Sequence, residues 1–468
     1  MVFKSQLALK MISINKYKTK IERYLDSRSL LVLFVITLIF AEYGFYLGLA
    51  LLLVVIVLDP VYALPVLFFS GLLKYADVIE DFPVDLTLMT YLFLSGLAII
   101  NIYRYRAAIL VVKEINVLLV LMLFSAVFAF YNSPAGFSFL KNSGFLVIIF
   151  YIPLLMLIIN FDPQGKCEPK LIIAFRNVTF LVGGLWIGMG LHNEIFQIAV
   201  AQKRAPEFLV AHISAFGEDY LPFGLIIAFC FLYLLTSFLL DRRNLILKLS
   251  GLVGLVLLLL NLPSRGLVIG LGITIIMLLY ELIRAGKLKF YIITFLIASI
   301  SLAFLVYSVF LIDESRQMLL DRLFDFTLTG ETVQSRLDSL KIGFYYWLET
   351  PFTGIGMNGV AFYGEDIGLY VHNIFLELIF EYGVISAIPY VIYFTLSFLC
   401  FMSVLRNAII KQETPIIWLC LMYLTLFIHH QFSGTLGNIR MFWILSALMI
   451  YMNSNRSSSR QVTINKHA

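Results

Sequence analysis

Residues 372–402 read HNIFLELIFEYGVISAIPYVIYFTLSFLCFM, a long apolar run that begins at a histidine and an asparagine. Comparable apolar runs recur along the chain, and a helix needs about 17–25 such residues to cross a bilayer. Of the 468 residues, 61% are hydrophobic and 13% are charged, and the mean hydropathy is +0.93. A soluble domain could not bury this much apolar surface. The sequence therefore predicts an all-α, polytopic integral membrane helical bundle.

The apolar segments predict about fourteen transmembrane helices, with twelve as the alternative because the first three segments are short. We expect a basic N-terminal segment at 1–28, a single transmembrane domain at 29–453 with a large polar loop at 312–371, and a polar tail at 454–468. No small-residue cleavage site follows the first apolar run, so we expect no cleavable signal. The predicted spans are 30–41, 45–58, 61–73, 86–103, 115–131, 143–161, 171–190, 220–240, 246–262, 266–283, 290–311, 372–402, 415–430 and 437–452.

Lysine and arginine concentrate in alternate connections between these segments, which is the pattern of cytoplasmic loops. The other connections are acidic: the loop 312–371 holds nine acidic and four basic residues. This alternation predicts an even number of spans with both termini in the cytoplasm, and it explains the net charge of +5 without a nucleic-acid partner. The basic groups include Arg104, Arg106 and Lys113; Arg242, Arg243 and Lys248; and Arg284, Lys287 and Lys289.

Several kinds of site are not indicated by the sequence. The four cysteines, which lie in or beside apolar segments, lack the paired spacing of a disulfide framework or a zinc site. There is no HExxH motif, no loop DxD motif and no Walker-type glycine-rich loop. We therefore expect no cofactor and a chemistry that is independent of metal. The cysteines are Cys167, Cys230, Cys400 and Cys420.

Two arginines and a histidine at predicted outer helix ends are the candidate site residues. Arg265 follows Pro263 in a tight turn between two spans, where it either reaches the lipid headgroups or binds an anion through its forked guanidinium. Arg336 lies in the acidic loop, where it forms either a surface salt bridge with Asp338 or Glu331 or a phosphate contact. His372 could accept a proton near neutral pH. Together they indicate a membrane enzyme acting on a lipid-linked phosphate.

Other polar residues are predicted to support this site. Asn373, Glu377 and Glu381 share one helix face at intervals of four, and carboxylates inside a span usually face the protein interior. His430 and Arg440 end and begin the last two outer-facing segments, and they either line the same site or lie at the headgroups, with the second preferred. Lys74, at the end of the third segment, is a further candidate.

The loop at 312–371 is predicted to contain an amphipathic helix on the outer membrane face. Leu337, Leu340, Phe344 and Trp347 recur at helical spacing. Ser335 with Asp338 resembles a capping box at its start, and Pro351 would stop it. The stretch 353–359, TGIGMNG, reads as a flexible glycine-rich turn that leads towards His372.

The motifs in residues 260–385 resemble the O-antigen polymerase and ligase superfamily, the Wzy/WaaL group. The resemblance is carried by Ser264-Arg265-Gly266, by SRLD at 335–338, by WLETPFTGIG at 347–356 and by VHNIFLEL at 371–378 followed by EYG at 381–383. It implies a GT-C-like glycosyltransferase of the bacterial inner membrane with a periplasmic active site. Its donor would be a glycan on undecaprenyl diphosphate, bound by Arg265 and Arg336, and His372 would deprotonate the acceptor hydroxyl in an inverting reaction.

The resemblance leaves two acceptors open. A polymerase extends another lipid-linked repeat unit, with a polysaccharide chain-length regulator as its partner, whereas a ligase transfers the glycan to lipid A-core. The apparent span count and the acidic outer loop favour the polymerase. A transporter or flippase for lipid-linked sugars is the alternative from another class, but it would place polar residues near the membrane midplane and often show repeated halves.

Overall fold

A computed structural model of the chain describes residues 60–74, 91–92, 94–96, 113–134, 147–160, 168–201, 220–241, 243–260, 265–287, 331–365, 370–432 and 439–467. Throughout these ranges the backbone forms helices joined by turns, and none of it forms a strand. The predicted all-α class is therefore confirmed for the described part of the chain.

The helices of the described ranges follow the predicted apolar segments closely. Helices α1 to α7 and α11 to α13 each coincide with one such segment, and one-turn π-helices at Val147–Tyr151 and Leu378–Tyr382 lead into α3 and α11. The bounds are α1 Ala63–Lys74, α2 Lys113–Tyr131, α3 Ile152–Asn160, α4 Glu168–Ala201, α5 Tyr220–Leu240, α6 Leu245–Leu260, α7 Arg265–Arg284, α8 Glu331–Trp347, α9 Gly359–Tyr363, α10 Ile374–Glu377, α11 Gly383–Lys411, α12 Thr414–His429 and α13 Arg440–His467.

Within the described residues, three stretches are long and apolar enough to cross a membrane: Glu114–Tyr131, Gly266–Arg284 and Ile374–Lys411. Shorter apolar helices are found at Gly224–Leu240, Leu245–Val256 and Thr414–His429. The predicted spans 30–41, 45–58 and 290–311, and most of 86–103, lie outside the described residues, as does the segment 1–28. The chain is thus a helical membrane protein, and the count of fourteen spans stays a prediction.

Ion pairs join helix ends at one side of the bundle. Arg456 of α13 contacts Glu168 at the start of α4 (Nε–Oε1, 3.5 Å) and Glu413 just before α12 (Nη2–Oε2, 2.9 Å). Arg406, near the end of α11, approaches the buried Glu281 near the end of α7 (Nε–Oε1, 3.4 Å). The second half of α13 thus meets the starts of α4 and α12, so α13 runs antiparallel to both, whereas α7 and α11 meet near their ends and run parallel.

Aromatic packing fixes the helices that carry the site. Trp443 of α13 is fully buried against Tyr393 and Phe394 of α11, with ring centroids 6.1 and 5.2 Å away. The hydroxyls of Tyr393 and Ser446 share a hydrogen bond of 2.9 Å. Trp418 of α12 donates its indole N–H to the carbonyl of Phe229 in α5 (2.8 Å). The buried hydroxyl of Tyr393 and the buried indole N–H of Trp418 therefore both have hydrogen-bond partners, and these bonds fix how the helices face each other.

The predicted long segment at 372–402 is not one continuous helix. The short helix α10 passes into the π-helix at Leu378–Tyr382, and Gly383 then takes φ +74°, a left-handed value that favours glycine. A side chain on Gly383 would collide with the backbone of Gly354 and Phe352. The break therefore lets the backbone of residues 352–354 pack directly against the backbone at Gly383.

Helix α8 confirms the predicted amphipathic helix but starts earlier than its motif indicated. It begins at Glu331, so Ser335 lies inside the helix and does not cap it; its carbonyl accepts a hydrogen bond from the Ser339 hydroxyl (2.9 Å). The capping-box interpretation of Ser335 and Asp338 was wrong because the acidic first turn extends the helix upstream. The helix ends at Trp347, whose indole N–H donates to the Pro351 carbonyl (3.2 Å).

Candidate functional site

The backbone of His372 is held in an unusual conformation at the start of α10. Its φ is +58°, a left-handed value that costs a residue with a β-carbon about 1 kcal/mol or more. Val371 before it is buried in a small apolar cluster with Ile355, Val360 and Phe380. Asn373 after it is extended, with φ −144°. The strained residue therefore lies between two anchored neighbours.

Asn373 is the N-cap of α10, and it also ties the helix to its neighbour. Its side-chain oxygen accepts hydrogen bonds from the N–H groups of Phe375 (3.0 Å) and Leu376 (3.1 Å). Its side-chain N–H donates to the carbonyl of Gln431, just after α12 (3.2 Å). Asparagine is among the best N-cap residues. The Asn373 side chain therefore fixes the backbone next to His372, and it can support the site in this way.

The imidazole of His372 lies beside two side chains that define its chemistry. The Tyr370 ring is 3.7 Å away between ring centroids, at an interplanar angle of 39°. Partial burial, and then the nearby charge of Arg336, lower the pKa of His372 to about 4. Its Nδ1 is buried without a hydrogen-bond partner among the described residues. The imidazole is thus neutral near pH 7 and can accept a proton.

Helix α8 places Arg336 near the imidazole of His372. Its Nε is buried, with no hydrogen-bond partner among the residues that the structure describes. The salt bridge considered with Asp338 is not formed, because Asp338 contacts Lys341 (3.2 Å) and Gln334 (2.9 Å). The side chain of Glu331, the other partner considered, lies outside the described residues. A partly buried guanidinium in this condition is a ready anion-binding group.

Arg265 is brought to the same end of the bundle by its helix. It is the first residue of α7, and its side chain lies outside the described residues, as does the turn 261–264. The next residue, Gly266, packs so closely on α12 that an added β-carbon would lie 3.1 Å from Phe432 Cβ and 3.4 Å from His429 Nδ1. The segment 429–432 therefore separates the start of α7 from Asn373.

Two further predicted residues lie at this end of the bundle. His430 is buried, and its ring is 5.2 Å from that of His429 and 6.2 Å from that of Phe442, between centroids. Arg440 begins α13, where its charge reaches Tyr151. These contacts are with His429, Phe442 and Tyr151 and not with Arg336 or His372. Lys74 ends α1, and its side chain lies outside the described residues.

Glu381 holds the loop that precedes His372. This buried carboxylate accepts hydrogen bonds from the backbone N–H groups of Asn358 (Oε2, 2.9 Å) and Val360, at the start of α9. A carboxylate at a helix start is stabilised by the unpaired amides there. Glu377, one turn earlier, is also buried. Glu381 therefore acts on loop geometry, a role that its position on a helix face did not reveal.

The glycine-rich stretch at 353–359 is clamped by backbone contacts, so the expected flexible turn was wrong. The N–H groups of Ile355 and Gly356 donate to the carbonyls of Phe380 and Glu381, each at 2.9 Å. The π-helix supplies these carbonyls because its wider turns shift the internal hydrogen-bond pattern. Gly354 has φ +75°, and a side chain on it would meet the Glu381 carbonyl. The absence of a side chain at Gly354 therefore lets the loop backbone lie directly against the π-helix.

Helix α2 secures the other side of this loop. The N–H of Met357 donates to the carbonyl of Ala129 (3.0 Å), and the Ser133 hydroxyl donates to the carbonyl of Met357 (2.6 Å). A side chain on Gly356, whose φ is +82°, would collide with Asn132 and Ser133. The loop is thus held between α2 and α11, and neither contact was visible in the spacing of the sequence.

Residues 249–391 match the sequence profile of the family described as O-antigen ligase. The chain carries a domain of the O-antigen ligase family. This domain confirms the resemblance to the O-antigen polymerase and ligase superfamily and contains Arg265, Arg336 and His372 with Asn373 and the two glutamates. No curated protein and no solved structure matches the chain.

The matched residues run from α6 into α11 and include the loop at 353–359. The match supports a glycosyltransferase-like enzyme of the membrane that acts on lipid-linked glycans. His430, Arg440 and Lys74 lie outside the matched residues. Among the described residues, no group of three histidine, cysteine, aspartate or glutamate side chains lies close enough together to hold a metal ion.

Proposed function

We propose that the protein is a surface-polysaccharide polymerase that transfers a glycan from undecaprenyl diphosphate to a lipid-linked repeat unit. The observation that carries this proposal is the placement of Arg336 beside His372 within the O-antigen ligase domain. An anion-binding guanidinium next to a neutral imidazole supplies the two functions that this reaction needs. The reaction takes place at the periplasmic face of the bacterial inner membrane, in a GT-C-like bundle with both termini in the cytoplasm.

The guanidinium groups of Arg265 and Arg336 bind the donor diphosphate. Their charge is also placed where negative charge accumulates as the bond between the anomeric carbon and the phosphate oxygen breaks. His372 takes the proton of the acceptor hydroxyl while its oxygen attacks the anomeric carbon from the opposite side, which inverts the configuration. The products are the extended glycan on the acceptor and free undecaprenyl diphosphate. No cofactor enters these steps.

The acceptor distinguishes a polymerase from a ligase. The loop 312–371 carries nine acidic and four basic residues, and a negative surface is unsuited to docking the phosphorylated lipid A-core. This charge supports the polymerase, and a polysaccharide chain-length regulator would then be a partner. The description of the matching family as O-antigen ligase favours the ligase as second candidate.

A reconstituted reaction tests both candidates. Purified protein in lipid vesicles receives its lipid-linked repeat unit as the sole substrate, with EDTA present in a parallel sample. We expect a ladder of longer lipid-linked glycans that persists in EDTA and disappears in His372→Ala. Transfer that requires added lipid A-core would instead identify a ligase. Absence of transfer to either acceptor would contradict the enzyme, and movement of the lipid-linked sugar across the vesicle bilayer would identify a transporter.

A further inference from the structure

The Tyr370 ring makes the closest ring contact recorded for His372 in the described part of the chain. The centroids are 3.7 Å apart and the planes are tilted by 39°, so the phenol lies over the imidazole and not edge-on to it. The two residues are separated by Val371, whose side chain is buried in the cluster with Ile355 and Val360. The backbone of His372 is left-handed, and the two rings on either side of Val371 are in contact.

The charge balance around the imidazole makes this contact consequential. The group that acts on His372 from the facing helix α8 is Arg336, whose positive charge opposes protonation. On its own segment, among the residues that the structure describes, the titratable group in contact with it is Tyr370. The face of a phenol ring attracts a cation within about 6 Å. Tyr370 is therefore the neighbour that favours the imidazolium, while Arg336 disfavours it.

We propose that Tyr370 is a positioning residue for His372, holding the imidazole in place and stabilising the imidazolium that forms when His372 takes up the acceptor proton. The proposal rests on the proposed glycan transfer for its catalytic consequence. The aromatic ring carries the role, because stacking and cation attraction require the ring face. The hydroxyl is not required for it.

Three variants in the reconstituted assay separate this role from a structural one. Tyr370→Phe keeps the ring and should retain kcat within about twofold, whereas Tyr370→Leu should lower kcat on the order of tenfold or more with little change in KM. Tyr345→Leu, which removes an exposed tyrosine of α8, is the matched control and should behave as wild type. Equal kcat in Tyr370→Leu and wild type would overturn the proposal, as would a loss in Tyr370→Phe as large as that in Tyr370→Leu.

A titration of His372 tests the contact without reference to activity. The full-length protein carries ¹³C-labelled histidine, His372→Gln identifies the resonance, and the pH is varied in the Arg336→Gln background, where protonation is easier. Adding Tyr370→Leu should lower the midpoint by about half a pH unit, and adding Tyr370→Phe should leave it in place. An unchanged midpoint in Tyr370→Leu would refute the stacking role. A wild-type protein that transfers no glycan would refute the proposed function, while this titration would still decide the role of Tyr370.

Discussion

The guanidinium of Arg336 lies close enough to His372 for its charge to oppose protonation of the imidazole. In the sequence, the two residues are separated by the loop at 353–359 and by α9. The positive charge of Arg336 repels the positive charge that His372 carries when protonated, so their proximity by itself does not stabilise the imidazolium. An anion bound between them changes this balance. Such an anion would pair with Arg336, screen its charge and make His372 a stronger base.

Neutralising Arg336 should raise the pKa of His372. The pKa is lowered to about 4 by burial and then by Arg336, so Arg336→Gln removes the second cause and leaves the first. The midpoint should move upwards from about 4 but stop short of the ordinary value of 6.5. Titration of ¹³C-labelled His372 by NMR measures it. A midpoint unchanged by the substitution would contradict the electrostatic contact.

Arg336→Lys should impair donor binding even though the charge is retained. Lysine lacks the planar fork that holds two phosphate oxygens at once. We expect the KM for the lipid-linked donor to rise at least tenfold in the vesicle assay. Lys341→Ala is the matched control, since it removes a positive charge from the exposed side of the same helix and should leave the KM within twofold. A similar rise in both variants would indicate only a general effect of loop charge.

Arg265→Ala should abolish transfer, while Arg284→Ala at the opposite end of α7 should not. Both variants remove one arginine from the same helix, but only Arg265 lies at the end of the bundle that contains Asn373 and Gln431. Transfer rates are compared at equal amounts of folded protein, judged by gel filtration in detergent. Comparable losses in both variants would remove Arg265 from the site.

Glu381→Ala should destabilise the protein. The substitution leaves the backbone N–H groups of Asn358 and Val360 buried without their acceptor, at a cost of about 2–4 kcal/mol. Glu381→Gln retains a neutral acceptor and should cost less. Thermal unfolding in detergent compares these variants with Glu349→Ala, an exposed control. A melting temperature of Glu381→Ala equal to that of the control would show that the carboxylate does not hold the loop.

Gly354→Ala should disrupt the loop, whereas Gly272→Ala should be tolerated. Gly354 has a left-handed φ, and its added methyl group would collide with the Glu381 carbonyl. Gly272 lies within α7 with no neighbour within 4 Å of the added carbon, and alanine favours a helix there. We expect faster proteolysis of the 351–365 segment in Gly354→Ala alone. Equal resistance of the two variants would mean that the clamp is not rigid.

The sequence predicted the helices well because apolar runs specify membrane segments directly. Helices α2, α5 and α7 begin or end within a few residues of the predicted segments. The gathering of Arg336 and His372 was predictable in outline, since alternating spans place both at one end of the bundle. The position of the Arg265 side chain stays a prediction.

The finer features depend on tertiary contacts that have no local signal. The π-helix at 378–382 forms where its carbonyls accept hydrogen bonds from Ile355 and Gly356, and nothing in the letters LIFEY indicates this partner. The glycines at 354 and 356 suggested flexibility because composition cannot distinguish a loose turn from a close backbone contact. The ring contact of Tyr370 with His372 was missed because two residues at this spacing give no sequence signal for it.

The hydrogen bonds from Ile355 and Gly356 to the π-helix have a mechanical consequence. They involve main-chain atoms only, so the loop and the π-helix are coupled without any side-chain contact. A displacement of the loop therefore displaces the π-helix at Leu378–Tyr382 and, with it, the short helix α10 that leads into it from His372 and Asn373.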